Sequence, residues 1–189
     1  LQRLLGEEDG APGSPAAAAF LELLTWADEE RRLGVRANAD TPHDARVAVA
    51  LGARGIGLCR TEHMFFDERR ISWIRQVILA RRDTTRDAAL GALLPEQQKD
   101  FEGILRAMRG MPVTIRLLDP PLQEFLPRAE EAIVRLAEQM GMESSALRDT
   151  VESLDEANPM LGHRGCRLGL TSPDISEIQV EALARATCS

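Results

Sequence analysis

Apolar positions in this chain fall into short blocks, and the spacing changes from block to block. Phe20, Leu23, Leu24 and Ala27 repeat every three or four residues, which predicts a helix over 16–34 with Gly34 as its stop. The stretch 35–39 reads as a short strand containing Arg36. Over 40–52 the punctuation is that of a helix: Thr41 as N-cap, Pro42 in the first turn, Asp44 beside it, Gly52 at the end. Residues 55–59 (GIGLC) are a second strand, with glycines suited to a close backbone approach.

The pattern then turns helical for a long stretch. Ile71, Ile74 and Ile78 share one face of a helix over 67–80. Thr84 or Thr85 caps a short helix, and Pro95 starts another whose stripe is Phe101, Ile104, Leu105 and Met108. A third strand over 113–118 (VTIRLL) is cut off by Asp119-Pro120-Pro121. Helices follow near 129–140 and 145–156, the second capped by Ser144 or Ser145. A fourth strand is expected within 158–170, then a helix over 172–186 with Ser172 as cap and Pro173 after it. Each strand is followed by helix, which predicts an α/β fold with parallel strands. A doubly wound sheet and part of a (βα)8 barrel both fit, and the lack of GxGxxG after the first strand speaks against dinucleotide binding.

Composition narrows this picture. Residues 6–15 (GEEDGAPGSP) have the make-up of a linker, so 1–19 reads as a lead-in and 20–189 as the domain. The net charge of −7 argues against a general nucleic-acid binder, which needs a basic face. Lys99 is the sole lysine among 23 basic residues. Three cysteines (Cys59, Cys166, Cys188) form no CxxC pair, and inert thiols in a reducing cytoplasm are the expectation. No apolar run reaches the roughly 18 residues of a membrane span.

The arginines change the picture most. Arg60 and Arg116 each follow an apolar strand at once, and Arg164 lies in the fourth segment. In parallel α/β folds ligands sit beyond the carboxyl ends of the strands. Guanidiniums converging there would repel one another unless an anion lay between them, and their planar forks match phosphate or carboxylate oxygens. The plainer alternative is local pairing: Asp119 lies close to Arg116 in sequence and Glu62 close to Arg60. His63 and His163 have the chemistry of general acids or metal ligands, yet lone histidines more often serve as structural hydrogen-bonding groups. Cys59 and Cys166 have no evident base partner and are expected to be buried and inert.

RANADTP, GIGLCRTEHMFF, LLPEQQKDFEGILRAM, TIRLLDPPLQEFLP and NPMLGHRGCRLG together resemble the C-terminal barrel of the PEP-utilising enzymes, from about residue 20 onward. The wording CRTEHMFF, LLDPPLQEFLP and GHRGCR is closest to the dikinase branch, which interconverts ATP, phosphate and pyruvate with AMP, pyrophosphate and phosphoenolpyruvate (PEP). Phosphoenolpyruvate synthase and the first enzyme of the sugar phosphotransferase system share shorter elements. The resemblance implies an incomplete (βα)8 TIM-type barrel, about the first four of eight units. It implies that Arg60 and Arg116 bind the phosphoryl group of PEP, with Arg164 as a further member of the cluster. The family's Mg2+ ligands, its enolate-protonating cysteine, its carrier histidine and its ATP site match nothing in these 189 residues. The chain alone is therefore expected to be inactive, with PEP or pyruvate and a phosphohistidine carrier domain as partners of the whole protein. Open strand edges lead to the expectation of a homo-oligomer. The competing reading is a catalytically inactive truncated barrel that binds an anion or oligomerises.

Overall fold

The computed structural model describes residues 15–80 and 84–189. The expected linker over 6–15 lies almost wholly outside them, while Pro15–Glu30 forms helix α1, whose first turns fall within the expected lead-in. None of α1 is buried, and Phe20, Leu23, Leu24 and Trp26 face outward on it.

The frame is a parallel sheet of three strands in the order β1-β2-β3: Ala37–Asn38, Ile56–Arg60 and Val113–Arg116. Helix α2 (Pro42–Ala50) crosses from β1 to β2, and its start is built as the sequence demands. The Thr41 hydroxyl accepts from the Asp44 N–H at 3.1 Å, and Pro42 occupies the first turn, where its missing N–H costs nothing. Gly55 is where β2 meets β3, since a Cβ there would lie 2.7 Å from the Pro112 carbonyl oxygen. β1 is shorter than the five residues expected, because only Ala37 and Asn38 stand in register with β2.

After β2 comes a 3-10 turn, Thr61–Phe65, then α3 (Glu68–Leu79), which Asp67 caps through the Arg69 N–H. Helix α4 (Thr84–Ala107) runs unbroken through Pro95, where the sequence predicts two helices. The reason is its stripe: Ala89, Leu90, Leu93, Gln97, Phe101 and Ile104 are all buried on one face, and Pro95 lies on the exposed side. Burial of that continuous face outweighs the hydrogen bond Pro95 removes. β3 leads to a second 3-10 turn (Leu122–Phe125), then α5 (Glu130–Met140), closed by Gly141 at φ 63°, and α6 (Ser144–Leu154). Neither Ser144 nor Ser145 caps α6; Glu143 stands at that position without a side-chain bond.

The fourth strand is not there. Residues 158–163 are turns, followed by the short helix α7 (Cys166–Thr171), and no strand lies beyond β3 among the described residues. The segment is apolar without alternation, and its backbone groups are used locally. The Asn158 carboxamide oxygen accepts from the Met160 N–H, the Asn158 carbonyl accepts from Leu161, and Gly165 adopts φ 56°. Helix α8 (Pro173–Thr187) ends the chain's regular structure.

One core cluster lies between the sheet, α2, α4 and α8, with Ile56, Phe101, Ile104, Met108 and Ala182 at its centre. A second packs α3 and α4 against the two 3-10 turns and α8, through Phe65, Ile74, Val77, Leu93, Phe125 and Ile175. Two glycines in α4 give opposite expectations. Gly91→Ala should stabilise by about 1 kcal/mol, the usual helix gain, because its Cβ would meet nothing within 4 Å. Gly103→Ala should destabilise despite the same gain, since its Cβ would lie 2.6 Å from Cγ of Pro42, in a rigid ring at the start of α2. Urea melts of the two variants check this, and movement of both midpoints in the same direction would refute it.

Candidate anion-binding site at the strand ends

β2 and β3 are parallel and end level, with Arg60 and Arg116 as register partners. Their side chains leave neighbouring strands at one edge and on one side, since residues in register share a face. Asp40, two residues past β1, reaches the same edge. One of its carboxylate oxygens accepts from the Arg60 N–H at 2.6 Å, and the other lies 2.7 Å from Nδ1 of His63. The Arg60 guanidinium is 4.0 Å from Asp40, the loosest contact of the cluster, and its side chain is 33% exposed.

Arg116 is held more tightly. Its Nη2 pairs with Glu62 and its Nη1 lies 3.1 Å from Asp119. Glu62 is buried, so its end of this pair is shielded from water while the Arg116 side chain is partly exposed. Asp119 pairs with Arg164 through the same carboxylate oxygen, and the Asp119 carbonyl accepts from Gly165 at 3.0 Å. That pair of bonds fastens the 158–165 turns to the end of β3, so all three predicted arginines meet at one edge. The Asp119 bond also pushes the Arg164 guanidinium further up from its ordinary range.

Two expectations are corrected here. Glu62 does not pair with Arg60, its near neighbour in sequence; it crosses to Arg116 on the next strand, and Asp40 serves Arg60 instead. The guanidiniums are not left to repel one another either, because Asp40, Glu62 and Asp119 neutralise them from within the chain. The cluster is thus balanced yet not saturated: the Nε of Arg116 and the second carboxylate oxygen of Glu62 are buried without hydrogen-bond partners.

Other candidates fall away from the chemistry. Arg36 is exposed and precedes β1, at the opposite end of the strand. His163 is exposed and its Nε2 lies 2.7 Å from the Thr171 hydroxyl, a local contact across α7. Cys59 is buried, as expected, and its thiol is pushed up to about 12 by burial, then by Asp40, Glu62 and Asp100. Cys166 was expected to be buried but is exposed, because its segment is a surface helix and not a strand.

Each carboxylate at this edge faces a guanidinium or an imidazole, and no group of three or more His, Cys, Asp or Glu suited to a metal ion occurs among the described residues. What the arrangement can do is hold a small multivalent anion by guanidinium forks at a partly exposed edge.

Residues missed by sequence reasoning are Asp40 and Gln179. Asp40 reads as a helix-start residue next to Thr41, and nothing in its neighbourhood announces a bond to a strand twenty residues on. Gln179 did carry a signal: it occupies an apolar position in the buried stripe of α8, with Ile175, Ala182 and Ala186.

Residues 15–189 match the family described as PEP-utilising enzyme, PEP-binding domain. The chain is 52% identical over 167 residues to a pyruvate, phosphate dikinase of Rhizobium meliloti (strain 1021), covering 88% of this chain and 19% of that protein. It is 53% identical over 190 residues to the chloroplastic pyruvate, phosphate dikinase of Flaveria trinervia, covering 98% of this chain and 20% of that one. With the enzyme of Giardia intestinalis it shares 53% identity over 166 residues, 88% of this chain and 19% of the relative. The chain thus spans about a fifth of the length of these relatives. No described helix is long and apolar enough to cross a membrane.

Proposed function

The chain belongs to the PEP-utilising enzymes through their PEP-binding domain, and on that premise we propose that Arg60, Arg116 and Arg164 receive the phosphoryl group of PEP. The observation that carries this reading is the register pairing of Arg60 with Arg116 at the carboxyl edge of adjacent parallel strands. A phosphoryl group in flight spreads negative charge over its oxygens, and the guanidiniums of Arg116 and Arg164, already fixed by Glu62 and Asp119, stabilise it without rearranging. The whole protein, in this reading, is a pyruvate, phosphate dikinase that interconverts ATP, phosphate and pyruvate with AMP, pyrophosphate and PEP. Its phosphohistidine carrier and its Mg2+ ligands lie on other segments, and the 189 residues alone bind without turnover. Three free cysteines suit a reducing compartment such as the cytoplasm.

The fold belongs to the same proposal. A consecutive parallel order is how a (βα)8 barrel begins, whereas a doubly wound sheet reverses direction at a switch point. Each outer strand, β1 and β3, has one side unpaired among the described residues. Those edges support completion of the barrel by further strands or by a second copy of the chain.

Arg60→Ala is the clean probe, because its guanidinium is the least engaged and its loss leaves Asp40 still bonded to His63. PEP should raise the melting temperature of the parent chain, and calorimetry should show Arg60→Ala binding it about 10- to 100-fold more weakly, the loss of a charge-assisted bond. A parent whose melting temperature ignores PEP, or an Arg60→Ala variant that binds as well as the parent, would sink the assignment.

A further inference from the structure

Gln179 has no exposed surface, and its carboxamide lies between the ends of β2 and β3. Its Oε1 accepts from the Leu118 N–H at 2.8 Å, two residues past Arg116. Its Nε2 donates to the Thr61 hydroxyl at 3.0 Å, one residue past Arg60. That hydroxyl in turn donates to the carbonyl of Arg116 itself, also at 3.0 Å. We infer that Gln179 is a positioning residue that sets the spacing between Arg60 and Arg116, acting through Thr61 and Leu118.

The direction of the relay follows from donor and acceptor counting. Leu118 offers only an N–H, so the oxygen of the carboxamide must face it. The single hydroxyl proton of Thr61 goes to the Arg116 carbonyl, so Thr61 can only accept from the amide nitrogen. Reversing the amide would set two donors against each other at Leu118. Only a side chain with an acceptor and a donor at this separation closes both contacts.

The backbone at these strand ends is held by side-chain contacts in place of a ladder. Residues 117–121 leave β3 irregularly through Asp119, Pro120 and Pro121, and Thr61 opens a 3-10 turn. Two neighbouring strands of a sheet stay aligned through their ladder bonds, but the ladder stops at Arg60 and Arg116. Beyond that row the relay from α8 is the buried hydrogen-bonded cross-tie, beside the Arg116–Glu62 ion pair. Since α8 also packs on α4 in both core clusters, the tie is anchored in the body of the domain. A pair of forks that must grip one phosphoryl group depends on their separation, so a change in this tie is read out as anion affinity.

This inference rests on the proposed PEP site, and the test separates the two. PEP affinity is measured by calorimetry on the parent and on Gln179→Met, which keeps shape and removes both hydrogen-bonding functions. The expected loss is about 10- to 100-fold, the scale of a misplaced binding group. Thr61→Ser keeps the hydroxyl and should bind like the parent, whereas Thr61→Val should lose affinity as Gln179→Met does. If Gln179→Met does not fold, the Thr61 pair decides. In an Arg116→Lys background, which lacks the fork but keeps the charge, the further loss on Gln179→Met should shrink to about twofold or less. A role confined to stability would leave the affinity losses of folded variants near zero or additive across that cycle, and either result overturns the inference. A parent that does not bind PEP through Arg60 takes down both readings. A parent that does, with Gln179→Met binding equally well, removes this one alone.

Discussion

Arg116→Ala should destabilise the fold by about 2–3 kcal/mol at neutral pH, besides removing a phosphoryl contact. The cost comes from what the side chain leaves behind. Glu62 is only 5% exposed, and among the described residues Arg116 is its sole charged partner within hydrogen-bond reach. Its second oxygen already lacks a partner, so the truncation strands a buried carboxylate. Breaking a fully buried pair would cost about 3–5 kcal/mol, and the smaller figure reflects an Arg116 side chain that still meets water. Asp119, by contrast, keeps Arg164 and loses little. The double variant Glu62→Gln with Arg116→Met should therefore recover most of the lost stability, since no charge is left unpaired at the strand end. Urea denaturation of the single and double variants measures this. A single variant within 0.5 kcal/mol of the parent, the range of an ordinary surface change, would show that Glu62 finds solvent instead.

Phe65→Ala should cost more, about 3–5 kcal/mol, as expected for emptying a buried phenyl site. Phe65 is fully buried in the 3-10 turn that also carries Thr61 and Glu62. Its ring meets Phe125 edge-on, with centroids 6.1 Å apart and planes at 86°. Ile74, Val77 and Leu93 complete the pocket. These neighbours come from two helices and a turn, so the site cannot collapse by moving one element. Phe66 stacks on the same Phe125 at 5.3 Å but is 47% exposed, so Phe66→Ala should cost roughly 1 kcal/mol. The loss at Phe65 should also weaken PEP binding, because the turn that fixes Glu62 loses its anchor. Chemical denaturation at constant m-value checks the stability, and a loss under about 1.5 kcal/mol would mean that the turn is not held from beneath.

The parts of this architecture legible in the sequence are those governed by local rules. Thr41-Pro42 announces α2, and the apolar runs ending at Arg60 and Arg116 announce β2 and β3 together with the edge where a ligand would lie. What was not legible depends on partners far along the chain. The 158–170 segment has strand-like composition, but its glycines and Asn158 divert the backbone into turns that Asp119 then fastens. Pro95 reads as a helix start because the buried stripe that carries α4 through it spans two separate cores. Nearness in sequence paired Asp119 with Arg116 correctly, but it paired Glu62 with the wrong guanidinium, because Glu62 crosses to the next strand. Gln179 lies 118 residues from Thr61, and only its apolar company in α8 hinted at a special place.

Helix α4, with 24 residues, is about 36 Å long and works as a beam under the whole domain. One end is riveted to α8 by the Arg86–Asp174 pair, and the other ends beneath β3 at Met108. Because a single unbroken rod belongs to the first two apolar clusters, neither of them can loosen while the other keeps its shape, whereas α5 and α6 meet in a third around Ile133 and Leu147. Those two clusters should accordingly melt as one event, with Pro95 the position where the beam lacks a backbone donor.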